Sequence, residues 1–145
     1  AQHFKSLIHF MRESKRILKH DGLFIIAIPV ITTTKPLIQQ FMELGILSLT
    51  WASEHYKLAN IKSMIKAAGF KIIEIQHIGS HVYEPLSDYY IQNRKIIKYI
   101  ILKESSSFFR NILYDVLENI FYKSALKMKE VYQKGIIDYV LIKAA

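Results

Sequence analysis

The protein has 145 residues, 51% of them apolar and 22% charged, and its formal net charge at pH 7 is +8. That length suits one ordinary folded domain, and that composition excludes an intrinsically disordered chain. The longest apolar run, Leu23–Ile31, is much shorter than the about 20 residues that cross a bilayer. The sequence contains no cysteine, which excludes disulfides and thiolate metal sites and fits a cytoplasmic location.

The positive charge is spread along the chain rather than concentrated. Its densest cluster is Lys15-Arg16 with Lys19 nearby. Because nucleic-acid-binding surfaces concentrate their cations on one face, we interpret this charge as a solvated basic surface and do not expect a nucleic-acid partner.

The first half of the chain predicts alternating helices and strands. Apolar residues at helical spacing predict an amphipathic helix over Phe4–Lys19, and a turn at His20-Asp21-Gly22 ends it, where Gly22 can adopt a positive φ at low cost. The run Leu23–Ile28 predicts a strand buried on both faces, which Pro29 should end. Further elements are a loop at 32–36, a helix over 37–47, a helix over 54–68 capped by Ser53 and closed by Gly69, and a strand over 71–78.

The second half predicts two long helices and a final strand. One helix follows Pro85 and covers 86–103, and a second covers 108–133 after a break of three serines. Gly135 closes the second helix, and a strand over 136–142 follows. The expected fold class is therefore α/β, with 79–135 forming a helical cap or insertion between the last two strands.

Several segments resemble class I S-adenosylmethionine-dependent methyltransferases. The run FMRESKRILKHDG, Phe10–Gly22, resembles the family pattern F-x-x-E-x-x-R-V-L-K-P-G-G that leads from a helix into the fifth strand, with His20-Asp21 in place of Pro-Gly. The segment Ala67–Phe70 resembles the A-G-F entry into the sixth strand, and Ala1–Phe4 resembles the end of the fourth strand. The resemblance, closest to small-molecule and sterol-like members, implies the C-terminal half of a Rossmann-like, seven-stranded sheet. It also implies that 136–142 is the seventh strand, antiparallel to the sixth and inserted beside the fifth.

The resemblance also implies that this chain is one part of the enzyme. In the family, the glycine-rich cofactor loop and the acidic ribose-binding residue precede the position of Ala1. We therefore expect 1–78 and 136–145 to form the C-terminal half of the methyltransferase domain. The remaining half would be supplied by a longer chain or by a partner chain, and the piece alone would be inactive. A homo-oligomer is left open.

The site residues follow from the same resemblance. His3, after the fourth strand, is the candidate catalytic base, and Gln2 and His3 are candidate contacts to S-adenosylmethionine. The candidate acceptor-binding residues lie in the loop after the fifth strand, before the next helix, and after the sixth strand: Pro29, Thr32, Trp51, His81 and Tyr83.

Two kinds of site are not expected. Ala27-Ile28-Pro29 offers His3 no carboxylate, so a His–Asp dyad is not predicted there. The histidines His3, His77 and His81 have no carboxylate at ligand spacing among them, so no metal site is predicted.

The implied function is methyl transfer to a hydrophobic or aromatic small molecule, because the aromatic residues of 79–135 suit a lid over such an acceptor. Two alternatives stay open. A non-catalytic, partner-binding subunit is consistent with the absence of the cofactor-binding half. A nucleic-acid methyltransferase is disfavoured because Ala1–Phe4 stands where base-methylating members carry an Asn/Asp-Pro-Pro-aromatic motif.

Overall fold

The computed structural model describes residues 6–47, 56–103 and 108–145. These residues form a mixed α/β fold with four strands in the described part, which confirms the predicted class. The elements in chain order are α1 (Leu7–Ile17), β1 (Phe24–Ile31), α2 (Leu37–Leu44), β2 (Tyr56–Lys57), α3 (Leu58–Ala67), β3 (Ile72–His77), α4 (Gly79–Lys103), α5 (Phe108–Gln133) and β4 (Ile137–Ala144).

The chain divides into two compact units. The first comprises the described residues of Ala1–Thr34, Glu54–Gly79 and Gly135–Ala145, and it contains the whole sheet. The second comprises the described residues of Lys35–Ser53 and Ser80–Lys134, which include α2, most of α4 and α5.

The sheet has the strand order β2-β1-β4-β3. β4 is antiparallel to both neighbours, with Phe24 opposite Ala144 and His77 opposite Val140, whereas β1 and β2 are parallel. The last strand of the chain therefore lies between the two earlier long strands, as the sequence predicted. The carboxyl ends of β1, β2 and β3 meet at one edge of the sheet, where β4 begins.

Helices α1 and α3 supply the apolar core of the first unit. Met11, Ile61 and Ile65 are fully buried, and they belong to one cluster with alternate residues of β1 and β4. Phe24 stacks on Phe70 with ring centroids 4.6 Å apart. Each such side chain contributes about 1.5–3 kcal/mol when it is fully buried, so this cluster fixes the position of the sheet edge.

One face of β1 is fully covered and the other is open at Ile25 and Ala27 and covered at Pro29, so the prediction of burial on both faces was wrong. Phe24, Ile26 and Ile28 face the α1–α3 layer, whereas Ile25 is 58% exposed and Ala27 is also exposed. An uninterrupted apolar run does not distinguish these cases, because side chains alternate between the two faces whatever their chemistry.

Pro29 does not end β1, and the strand continues to Ile31. The N–H of Thr32 donates to the carbonyl of Ile136, on the β4 side. N–H groups alternate in direction along a strand, so the nitrogen of Pro29 faces the opposite side. There, β2 pairs only with Val30 and Ile31. Among the described residues, no ladder hydrogen bond needs an N–H at Pro29, so proline is tolerated in this strand.

The structure differs from the sequence analysis at two places near α1 and α3. Tyr56 and Lys57 form a strand, so α3 begins at Leu58 rather than at residue 54; Ser53 lies outside the described residues. Gly22 lacks a positive φ, unlike Gly69 and Gly135. Glycine is required there for space, because a Cβ would lie 2.5 Å from Cγ of Leu18.

Helix α4 begins at Gly79 and includes Pro85, although the sequence predicted a start after that proline. Proline removes one intrahelical hydrogen bond and normally interrupts a helix. Contacts with α5 on either side of Pro85 oppose this effect. The ring of Tyr83 packs against that of Tyr132 at 5.6 Å, and the hydroxyl of Ser87 donates to the carbonyl of Ala125 at 2.9 Å.

Helices α4 and α5 pair as an antiparallel hairpin. Arg94 donates from Nε and Nη2 to the two carboxylate oxygens of Glu118, at 2.8 and 3.0 Å. The guanidinium also lies 3.8 Å from the ring centroid of Tyr122. Lys129 bonds to Asp88 at the other end of the pair. These contacts fix the register of the two helices.

Candidate functional site

A cavity of about 430 Å³ lies at the carboxyl ends of β1 and β2. In open α/β sheets, ligands bind at the carboxyl ends of the parallel strands. The volume suits a small molecule. The cavity is lined by Ile31, Thr32, Thr33, Thr34, Lys57, Leu58 and Ala59.

The loop that forms one wall is attached to the start of β4. Thr32 donates twice: its N–H bonds to the carbonyl of Ile136 at 3.0 Å, and its hydroxyl bonds to the carbonyl of Gly135 at 2.7 Å. Gly135 has φ +66°, a conformation that glycine adopts without steric cost. The wall is thus positioned by residues more than a hundred positions away in sequence.

The opposite wall is the beginning of α3. Lys57 precedes the first turn, no side chain caps that turn, and no acidic residue lies in it. The first N–H groups of a helix lack intrahelical acceptors and carry partial positive charge. Together with the ammonium group of Lys57, they make this wall electropositive, and the described lining contains no carboxylate.

One of the predicted acceptor-binding residues lines this cavity. Thr32 belongs to the lining, whereas Pro29 is buried in β1 two residues before the lining begins. Gln2, His3 and Trp51 lie outside the described residues. The roles assigned to Pro29 and to these three residues stay predictions.

The other two predicted residues lie on α4 rather than in a loop. His81 is exposed in the first turn, and Tyr83 is buried, with 1% of its surface exposed, against Tyr132. The sequence placed them in a loop because Pro85 argued against a helix. Their roles in acceptor binding stay predictions.

The hairpin has a smaller apolar groove of its own. It has a volume of about 100 Å³ and is lined by Leu86, Tyr90, Phe121, Ser124, Ala125 and Met128. Burial raises the pKa of the Tyr90 phenol, and the nearby carboxylate of Glu118 raises it further. Tyr89, Tyr99 and Phe121 are more than half exposed, so these aromatic rings of the hairpin are not core residues.

A histidine–aspartate pair lies at the same edge of the sheet as the cavity. Nδ1 of His77 is 2.5 Å from Oδ2 of Asp138, and Oδ1 of Asp138 accepts the N–H of Tyr139 at 2.7 Å. Sequence analysis missed this pair, because 61 residues separate its members. The available signal was their placement: His77 stands near the end of one predicted strand, and Asp138 stands near the start of its antiparallel neighbour.

Residues 6–47, 56–103 and 108–145 contain no group of three histidine, aspartate or glutamate side chains that could hold a metal ion. No helix among them is long and apolar enough to cross a membrane.

No protein-family model and no curated protein matches the sequence. Solved structures do match, at low sequence identity. The mycolic acid cyclopropane synthase CmaA1 superposes with a TM-score of 0.74 at 15% identity over 99% of this chain. The cyclopropane synthase MmaA2 from Mycobacterium tuberculosis gives 0.70 at 14% identity over 95%. Phosphoethanolamine N-methyltransferase 2 from Haemonchus contortus, solved with S-adenosyl-L-methionine, gives 0.70 at 17% identity over 99%.

These structures confirm the resemblance to class I S-adenosylmethionine-dependent methyltransferases at the level of the fold. This chain spans 54% of CmaA1, 49% of MmaA2 and 30% of the phosphoethanolamine N-methyltransferase. It therefore has the fold of one part of each of these proteins.

Proposed function

We propose that this chain forms the acceptor side of an S-adenosylmethionine-dependent methyltransferase that acts on a hydrophobic or aromatic small molecule. The observation that carries the proposal is the 430 Å³ cavity at the carboxyl ends of parallel strands, in a chain with a methyltransferase fold. Ile31, Leu58 and Ala59 supply aliphatic surface to an acceptor. The threonine hydroxyls and Lys57 supply a few polar groups that orient it.

The cavity fits an acceptor better than it fits the cofactor. Ribose hydroxyls are usually held by a carboxylate, and the described cavity lining has none. We therefore assign the cofactor contacts of this chain to Gln2 and His3, and the remaining contacts to a further chain segment or to a partner chain. When bound, S-adenosylmethionine supplies a methyl group attached to a positively charged sulfur.

The residues of this chain contribute orientation and the exclusion of water. Holding two reactants in the right geometry lowers the barrier of a bimolecular reaction without any bond to the protein. Thr32 holds the loop against the start of β4, and α3 holds the other wall against the sheet through Ile61 and Ile65. A rigid acceptor pocket of this kind is what methyl transfer requires of the protein.

The experiment is a transfer assay with radiolabelled S-adenosylmethionine and a panel of hydrophobic alcohols, phenols and amines. It uses the 145-residue chain alone and the chain extended by the coding region upstream of Ala1. We expect transfer by the extended protein and none by the chain alone. Transfer by the chain alone would contradict the division of the site, and no transfer by either protein would contradict the proposed function.

A cavity-filling variant tests the position of the acceptor. Ala59→Trp places a large ring in the cavity, whereas Ala67→Trp places the same ring at the exposed end of the same helix. We expect the extended A59W protein to lose at least about tenfold in kcat/KM with unchanged S-adenosylmethionine affinity. A67W should behave like the parent protein. Equal kcat/KM values for A59W and A67W would place the acceptor elsewhere.

A further inference from the structure

We propose that His77, oriented by Asp138, is a general base that removes a proton from the methyl acceptor, so that the acceptor is a hydroxyl or an amine. This inference rests on the proposed function. The inference also makes the proposed function more specific, because neither the fold nor the cavity distinguishes methylation at oxygen, nitrogen or carbon.

The aspartate of the pair is held firmly. Asp138 lies in β4 directly opposite Val30, and its side chain is 14% exposed. One carboxylate oxygen accepts the N–H of Tyr139, which leaves the other oxygen directed at Nδ1 of His77. A carboxylate fixed by the backbone of a central strand can orient its partner because it does not reorganise when a ligand binds.

The chemistry of the pair fixes the proton on the imidazole ring. An ionised carboxylate can only accept hydrogen bonds, so Nδ1 of a neutral His77 must carry the proton. The other nitrogen, Nε2, then presents a lone pair, which is the form that a general base needs. The side chain of His77 is 57% exposed, so a ligand can reach it.

The pair lies at the same edge of the sheet as the cavity, although neither member belongs to the cavity lining. Asp138 is in register with the end of β1, and His77 is the last residue of β3. Residues that pair across neighbouring strands lie on the same face of the sheet. Asp138 pairs with Val30 and His77 pairs with Val140, so both members of the pair lie on the α1–α3 face at the carboxyl edge. Only β4 lies between β3 and β1. At about 4.8 Å per strand, His77 is therefore about 10 Å from the strand that leads into the cavity.

Methylation of a hydroxyl or an amine releases one proton, which a base of this kind can accept. The acceptor oxygen or nitrogen forms a bond to the methyl carbon, and the electron pair of the broken carbon–sulfur bond stays on sulfur. The hydrogen on the acceptor atom leaves as a proton, which Nε2 of His77 takes, and its bonding electrons remain on the acceptor. A positioned base typically contributes a factor of about 10²–10⁴ to the rate.

The chain contains a matched control pair. Nδ1 of His20 lies 3.1 Å from Oδ1 of Asp21, but both side chains are almost fully exposed. The two residues are adjacent in sequence and lie in the turn before β1, at the opposite edge of the sheet. His20 and Asp21 thus share the chemistry of the proposed base without its position.

The first test observes the tautomer and does not depend on activity. ¹⁵N-histidine spectra of the 145-residue chain, recorded at a pH where the ring is neutral, should show His77 with its proton on Nδ1. In the Asp138→Asn protein, the new amide can donate to Nδ1, so the tautomer of His77 with its proton on Nε2 should appear. The Asp21→Asn protein should show the same His77 tautomer as the parent chain. A mixture of tautomers in the parent chain, or no change in Asp138→Asn, would overturn the assignment.

The second test measures transfer by the extended protein described above. We expect His77→Gln and Asp138→Asn to lower kcat by at least about a hundredfold on hydroxyl or amine acceptors, and His20→Gln to leave it unchanged. If the parent protein transfers methyl groups and the His77→Gln protein is equally fast, the assignment of His77 as the base is wrong, and the proposed function stands. If the parent protein transfers none, the proposed function fails, and the base assignment fails with it.

Discussion

The hydroxyl of Thr32 donates a hydrogen bond to the carbonyl of Gly135, 103 residues later in the chain, at 2.7 Å. This hydrogen bond joins the loop after β1 to the turn before β4, at the end of the sheet beside the cavity. A site of this kind depends on the whole sheet being assembled, because its two walls belong to segments that are distant in sequence.

Replacing Thr32 by valine keeps the shape of the side chain but removes the donor to Gly135. We expect the free energy of unfolding to fall by about 1 kcal/mol, the usual net value of such a hydrogen bond. Urea titration followed by circular dichroism measures this change. Thr34→Val is the control, because the Thr34 hydroxyl bonds to no other described residue, and an equal loss in T34V would assign the effect to the loop as a whole.

Glu118 should be the most sensitive charged residue of the hairpin. Its side chain is 1% exposed, and it receives two hydrogen bonds from Arg94. Glu118→Ala leaves the guanidinium partly buried without its anion, and breaking a buried pair costs about 3–5 kcal/mol. Because Arg94 is about one-third exposed, we expect about 2–3 kcal/mol, measured by thermal unfolding.

Asp115→Ala provides the comparison for that measurement. Asp115 pairs with Lys98 on the same two helices, but both side chains are at least 40% exposed. Exposed pairs contribute about 0–1 kcal/mol. A D115A protein as unstable as E118A would show that burial does not govern these pairs.

Protonation of Glu130 should account for part of the stability that the hairpin loses at acidic pH. Hydrogen bonds from Lys134 and Lys127 lower the pKa of this carboxyl. A carboxyl with a lowered folded-state pKa adds stability above its unfolded pKa of about 4.3 and loses it as the pH falls through the folded value. Since the side chain is 43% exposed, the effect should be well below 1 kcal/mol.

The measurement is the unfolding free energy of the chain and of Glu130→Gln at pH 7 and at pH 3. We expect the difference between the two proteins at pH 7 to shrink as the pH falls to 3, because protonation removes the charge of the glutamate. A constant difference across this range would assign the loss to packing rather than to charge.

Local chemistry was sufficient to predict most of the elements. The apolar runs at Leu23–Ile28 and 136–142 and the glycines at 69 and 135 are strong local signals, and the strands and the helix ends were found where these signals predict them. The resemblance carried by Phe10–Gly22 and Ala67–Phe70 supplied the order of the strands. These features depend on residues that are close in sequence, so they can be predicted without the tertiary structure.

Element boundaries were wrong wherever a tertiary contact outweighed local preference. Pro85 argued for a loop, yet Tyr83 and Ser87 pack on α5 and keep the helix continuous. Tyr56 and Lys57 were assigned to a helix, yet they pair in parallel with the end of β1 and form a strand. In both cases, the deciding partner lies in another element of the structure.

By itself, the sequence determined the α/β class, because periodicity and turn chemistry act between neighbouring residues. Its resemblance to class I methyltransferases implied the pairing order of the long strands. Only the tertiary structure decided which side chains meet at the carboxyl edge. The cavity beside Thr32 and Lys57, and the pairing of His77 with Asp138, exist because strand register brings distant residues within bonding distance. No local pattern encodes that register, since it follows from the burial of one face of the sheet.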